Sequence, residues 1–314
     1  MVGEVVTWVT FPTSPLPTCP RRACSQIVPV AHPVQISENG EEDMATVNVN
    51  GINLYYREAG SGEPLLLVHG SGFNADVWDK VIDAFAHDYR TIVYDRRAYQ
   101  RSQGKPPAMA DYAHQQGEDM AALLQALNAT PANIVGWSAG GAFTLHAALL
   151  HPDCAKRLIL FEPGLYALRF IFSDYPLLKN FIRLYLLRAI GKKQAAAERF
   201  GRLVSTYLDG RNSYDQFSTE FRAKLAADID MVFAELPAVL VGEIKPEILN
   251  AQIKAPITLL VGEQSTLTVK KITEYLAGVL HNVSLVRLPD SNHLAHVDRP
   301  DLFVKAVKEA LARR

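Results

Sequence analysis

The sequence predicts an α/β fold on a mainly parallel sheet, with an N-terminal antiparallel hairpin and a helical cap inserted before the last strands. Three observations carry this. Short apolar runs alternate with helix-length segments from residue 65 onward, an Asn-Gly pair separates two alternating segments near residue 50, and the interval from Phe161 to Ile257 is rich in helical periodicity but lacks a convincing strand. The 314 residues carry 32 Lys plus Arg against 33 Asp plus Glu, a net charge of −1. That balance gives no whole-chain footprint for nucleic acid or for an anionic membrane. Hydrophobic content of 48% with 21% charged residues is that of an ordinary globular protein, and no apolar run approaches the roughly 18 residues of a spanning helix.

Residues 1–43 differ from the rest. Pro12, Pro15, Pro17, Pro20, Pro29 and Pro33 interrupt any regular element, so a disordered, Pro-rich leader is expected there. Glu4 lies inside its apolar opening and no Lys or Arg precedes it, which makes a poor signal peptide. Cys19, Cys24 and Cys154 form an odd, sparse set that suits neither a disulfide framework nor a zinc module. A cytoplasmic protein without metal or other cofactor is therefore expected.

The hairpin around Asn50-Gly51 opens the folded part near Met44. Strands are then expected at Leu65–Val68, Thr91–Tyr94, Asn133–Gly136, Arg157–Phe161, Ile257–Val261 and Ser284–Leu288. Each is almost continuously apolar, as a strand buried on both faces must be. Helical patterns fall at Val77–Phe85, Glu118–Leu127, Ala142–Leu150 and Val269–Leu280. This alternation implies right-handed crossovers between parallel strands. The stretches LLKNFIRLYLLRAI, QAAAERFGRLVSTYL and FRAKLAADIDMVFAEL supply the cap. The expected division is a core of residues 44–163 and 251–314 with a cap over 164–250, placed at the C-terminal sheet edge where open α/β folds bind ligands.

The sharpest chemical signal is Gly136-Trp137-Ser138-Ala139-Gly140, between a strand and a helix. A turn that tight needs small residues beside the serine, and it projects a hydroxyl above the sheet at a helix N-terminus. A glycine-rich packing turn is the plainer alternative, but the strand–turn–helix context favours a nucleophile.

On this motif, and on the order of elements from about residue 45 to the C-terminus, the chain resembles the α/β-hydrolases of the esterase and lipase type. The resemblance implies an oxyanion hole from two backbone N–H groups, one from Ala139 after the nucleophile and one from Ser71 in His69-Gly70-Ser71-Gly72. His69 itself reads as a loop brace. The base implied is His293, in Pro289-Asp290-Ser291-Asn292-His293 after the last strand, with His296 as its neighbour. The acid departs from the usual pattern. Where family members usually carry Asp after the penultimate strand, this chain has Gly262-Glu263-Gln264-Ser265, and a serine cannot stabilise an imidazolium. Glu162, in Leu160-Phe161-Glu162-Pro163, is the best substitute and resembles the arrangement of zearalenone lactonases; Glu263 and Asp290 remain alternatives. The loop Tyr94–Ser102 also resembles the family, with Ala98 and Gln100 in place of its usual glycines.

The expected function is a serine hydrolase that cleaves a small-molecule carboxylic ester or lactone through Ser138, His293 and Glu162. Phe73, Trp137, Phe161 and Tyr166 are candidate pocket residues, although a residue of each type in such a place is more often simple core. No nucleic-acid or membrane partner is expected. Two alternatives are a non-catalytic or very slow ligand receptor on the same fold and a cofactor-free perhydrolase. Ser at position 138 argues against haloalkane dehalogenases and epoxide hydrolases, which need Asp there. Phe73 departs from the H-G-x-G-P-G pattern of the carbon–carbon hydrolases.

Overall fold

Alternate side chains along the central strands enter two different packing layers, which explains their continuous apolar character. Leu66, Val68, Ile134, Leu158 and Leu160 join one buried cluster, while Leu65, Leu67, Val135, Ile159 and Phe161 join the other. The computed structural model describes residues 45–313. The leader, Cys19 and Cys24 lie outside the described residues.

The sheet contains β1 (Thr46–Val49), β2 (Ile52–Ala59), β3 (Glu63–Val68), β4 (Tyr89–Tyr94), β5 (Ala132–Trp137), β6 (Ala155–Phe161), β7 (Ile257–Gly262) and β8 (Val283–Leu288). Their spatial order is β1-β2-β4-β3-β5-β6-β7-β8. The β1–β2 and β2–β4 pairs are antiparallel, and every pair from β4 to β8 is parallel. The hairpin turn places Asn50 at φ 46° and Gly51 at φ 76°, the backbone that an Asn-Gly pair tolerates best.

Outside the cap lie α1 (Ile82–Ala86), α2 (Tyr112–Ala126) and α3 (Ala139–Leu150). Six helices then separate β6 from β7: α4 (Ala167–Ile171), α5 (Tyr175–Ala189), α6 (Lys193–Val204), α7 (Thr219–Ala227), α8 (Ile229–Val241) and α9 (Pro246–Gln252). The chain closes with α10 (Leu267–Val279), α11 (Ala295–Asp298) and α12 (Pro300–Ala312).

Two differences from the sequence reading are instructive. The helix expected over Val77–Phe85 is a 3-10 turn at Ala75–Trp78 followed by the short α1, with Val81 between them at φ −124°. The stretch expected as one helix over 221–236 is two, because Asp228 ends α7 and begins α8.

Candidate active site

Ser138 sits between β5 and α3 at φ 54° and ψ −124°, a backbone that only its surroundings can hold in place. Its N–H donates to the Phe161 carbonyl at 3.0 Å, and its carbonyl accepts from Gly141 at 2.9 Å and Gly164 at 2.8 Å. The flanking glycines are sterically required. A Cβ on Gly136 would lie 2.7 Å from the Gly141 Cα, and one on Gly140 would lie 2.5 Å from the carbonyl oxygens of both Val68 and His69. The packing therefore explains G-x-S-x-G at this strand–helix junction.

The end of β6 brings a carboxylate to the same edge. Glu162 is fully buried at φ 47°, and its N–H donates to the Leu260 carbonyl at 3.1 Å. One carboxylate oxygen, Oε1, accepts the Gly262 N–H at 2.7 Å; the other, Oε2, lies 2.5 Å from His293 Nδ1. The last residue of β7, just before the loop that the family pattern uses for the acid, thus supplies a backbone donor to an acid at the end of the neighbouring strand. His293 is held by its own turn: Asn292 Nδ2 donates to the Ser205 carbonyl at 2.9 Å and to Ser213 Oγ at 3.1 Å, which ties the loop to the cap. With Nδ1 facing the carboxylate, Nε2 is free to face the cavity.

The competing acids lie elsewhere. Glu263 is exposed, and Asp290 is an exposed partner of Arg211 and Arg299 at 2.5 and 2.7 Å. Ser265 is buried, and its hydroxyl has no partner among the described residues. His296 is sealed among Trp78, Trp137, Phe161 and Phe303 with neither ring nitrogen bonded. Burial, reinforced by the charge of His293, pushes its pKa well below the usual histidine value. His69 accepts the Arg96 N–H on Nε2 at 3.0 Å, and its Nδ1 lies 2.9 Å from the Gly70 carbonyl; it braces the loop.

Ser71, Phe73, Trp137, Ser138, Glu162 and His293 line one cavity of about 850 Å³ of empty space, solvent at its mouth included. Cap residues such as Leu177, Phe181, Phe200 and Leu236 complete an almost wholly apolar wall. Phe161 and Tyr166 are not part of that wall. The Phe161 ring stacks behind His293 at 6.1 Å, and the Tyr166 hydroxyl is bound to the Ile244 carbonyl. No hydrogen bond joins Ser138 Oγ to His293; such contacts are often long until a substrate is bound. The N–H groups of Ser71 and Ala139 have no acceptor among the described residues.

One buried network escaped the sequence reading. Glu235 of α8 pairs with Arg96 at 2.7 and 3.1 Å, and both side chains are fully buried. Glu235 also accepts from Tyr99 Oη at 3.2 Å and from Ser71 Oγ. Arg96 in turn donates to the carbonyls of His69 at 3.1 Å and Gly70 at 3.2 Å. The loop 69–72 is thereby clamped from the cap. The sequence carries only a faint trace of it: Glu235 is the one acid in the apolar run MVFAELPAVLV, and Arg96-Arg97 follows shortly after β4.

The family model for the alpha/beta hydrolase fold matches residues 63–300. The chain belongs to the α/β-hydrolase family. It is 26% identical over 259 residues to the pimeloyl-[acyl-carrier protein] methyl ester esterase of Vibrio atlanticus, a match that covers 80% of this chain and 95% of that protein. Among solved structures it resembles Est816, titled an N-acyl homoserine lactone degrading enzyme, with a TM-score of 0.67 and 22% identity over 84% of this chain and 99% of that one. The enol-lactonase of Burkholderia xenovorans LB400 gives a TM-score of 0.67 at 19% identity, over 86% and 100%. At such identities these two structures speak for the fold. Among the described residues no group of three or more His, Cys, Asp or Glu is placed to hold a metal, and no helix is long and apolar enough to cross a membrane.

Proposed function

We propose that this α/β-hydrolase is a serine carboxylic-ester hydrolase acting on an ester or lactone through a Ser138–His293–Glu162 triad. The observation that carries this reading is the 2.5 Å contact between Glu162 and His293 Nδ1, beside a cavity that Ser138 also lines. Ser138 Oγ attacks the carbonyl carbon as His293 Nε2 takes its proton. The N–H groups of Ser71 and Ala139 stabilise the oxyanion, and Glu162 stabilises the imidazolium that forms. His293 then protonates the leaving alkoxide, and later activates the water that cleaves the acyl-enzyme. A lactone follows the same course with its leaving group still tethered.

The names of the Vibrio esterase and of the two lactonase structures support the ester or lactone class. The cavity narrows it. Apart from the triad, its wall carries no charged side chain, so the buried part of the substrate is uncharged and apolar. A carboxylate remote from the imidazole would favour the receptor alternative over the enzyme, and the 2.5 Å contact of Glu162 weighs the other way. A perhydrolase would use the same three residues.

A panel of p-nitrophenyl esters tests the reading. Butyrate or hexanoate esters should exceed the monosuccinate ester in kcat/KM by about a hundredfold or more, with all turnover lost in Ser138→Ala. Wild-type turnover in Ser138→Ala, or preference for the charged acyl group, contradicts it.

A further inference from the structure

Helix α5 presents apolar side chains on two opposite faces. Leu177, Phe181 and Leu184 point inward: Leu177 and Leu184 are buried, and Leu177 and Phe181 wall the cavity. At about 100° per residue, Tyr175, Ile182, Leu186 and the capping Ile190 fall on a second stripe roughly opposite. These four are 70%, 54%, 59% and 65% exposed, and Phe172, 71% exposed, extends the ridge ahead of the helix. An amphipathic helix needs one buried stripe, so the second one has no folding explanation within the described residues.

Along α5 and the turn after it the charge has one sign; Asp174, between Phe172 and Tyr175, is buried as the helix cap. From Tyr175 to Ala197 the chain contains Lys179, Arg183, Arg188, Lys192 and Lys193 but no Asp or Glu. Lys193 is paired with Asp230, and the Arg188 guanidinium lies over the Phe233 ring. Lys179, Arg183 and Lys192 are exposed and have no carboxylate partner among the described residues. Lys179 lies within the apolar stripe, and Arg183 borders it.

We infer that α5 is an interfacial docking helix that seats the cap on an anionic lipid surface. Its apolar ridge enters the headgroup boundary while Lys179, Arg183 and Lys192 meet lipid phosphates. A second copy is the less suitable occupant, because a two-fold interface would set these cations against their own copies. The whole-chain charge of −1, which suggested no membrane partner, averages over this local asymmetry. The inference stands apart from the catalytic reading, because none of the ridge residues lines the cavity.

Flotation of the full chain with two kinds of vesicle tests it: phosphatidylcholine alone, and phosphatidylcholine mixed with phosphatidylglycerol. Partitioning should be at least about tenfold higher on the mixed vesicles and should weaken as salt is raised. Ile182→Ser with Leu186→Ser should abolish binding. Lys179→Glu with Arg183→Glu should remove the anionic preference, and both variants should hydrolyse a water-soluble ester within about twofold of wild type. Equal partitioning to both vesicles, or none, overturns the inference. So does a dimer, seen by sedimentation, that the Ile182→Ser/Leu186→Ser variant dissociates in a chain that ignores vesicles.

Discussion

Two glutamates are fully buried near the cavity, Glu162 in its wall and Glu235 behind Ser71, and their partners give them different tasks. Glu235, on a cap helix, faces Arg96, a group that is charged at every accessible pH. Arg96 keeps its charge beside this carboxylate, and the hydrogen bonds from Tyr99 and Ser71 to Glu235 make the pair a clamp on the loop 69–72. Glu162, at a strand end, faces an imidazole whose charge changes during the proposed reaction, and a single backbone N–H fixes its second oxygen. The same residue type at the same burial serves as a latch in one place and as an orienting acid in the other. The protonation range of the partner makes the difference.

That contrast can be sharpened by substitution. Glu162→Gln keeps an acceptor for Gly262 but loses the charge, so kcat should fall by about 10³–10⁴-fold with only a small change in Tm. Glu235→Gln should do the reverse. It leaves Arg96 buried without a counter-charge, and the expected loss is about 3–5 kcal/mol in chemical denaturation. Arg96→Met combined with Glu235→Met should recover most of that stability, because replacing a whole buried pair costs less than breaking it. If the two single variants showed the same balance of kcat and stability losses, the distinction between latch and acid would fail.

A third buried ionisable group, His296, has no hydrogen-bond partner. Its lowered pKa means that the unfolded chain takes up a proton below about pH 6.5 that the folded chain refuses, so stability falls as pH drops, by up to about 1.4 kcal/mol per pH unit. His296→Phe should remove this cost. Its stability advantage over wild type should widen from pH 6.5 to pH 5, by denaturation at each pH, with kcat nearly unchanged. The smallest effects belong to Glu263→Ala and Asp290→Ala, each expected to stay within about twofold of wild-type kcat; a large loss in either would displace Glu162.

Most of the sheet was legible because its strands are short apolar runs buried on both faces, which leave a strong local pattern. The Asn50-Gly51 turn and the glycines around Ser138 were legible for a related reason: each answers a local steric demand. Glu162 was within reach because the strand end and the following Pro163 mark it as the last residue before a turn. The link between Arg96 and Glu235 was not, since it joins residues 139 apart and the neighbours of neither residue identify its partner. The break at Asp228 was hidden too, because apolar spacing continues across it and only the caps differ. Phe161 and Tyr166 sit next to the site in sequence, yet neither ring lines the cavity: Phe161 packs against His293, His296 and Phe303, and the Tyr166 hydroxyl is held by the Ile244 carbonyl.

The most direct test of the central claim is the rate of labelling by a fluorophosphonate probe, with the modified residue located by mass spectrometry. Rapid labelling of Ser138 in the wild-type chain is expected, slowed by orders of magnitude in Glu162→Gln and His293→Ala and unchanged in Glu263→Ala and Asp290→Ala. Labelling that is equally fast in Glu162→Gln, or a folded chain that does not react at Ser138, would contradict the triad.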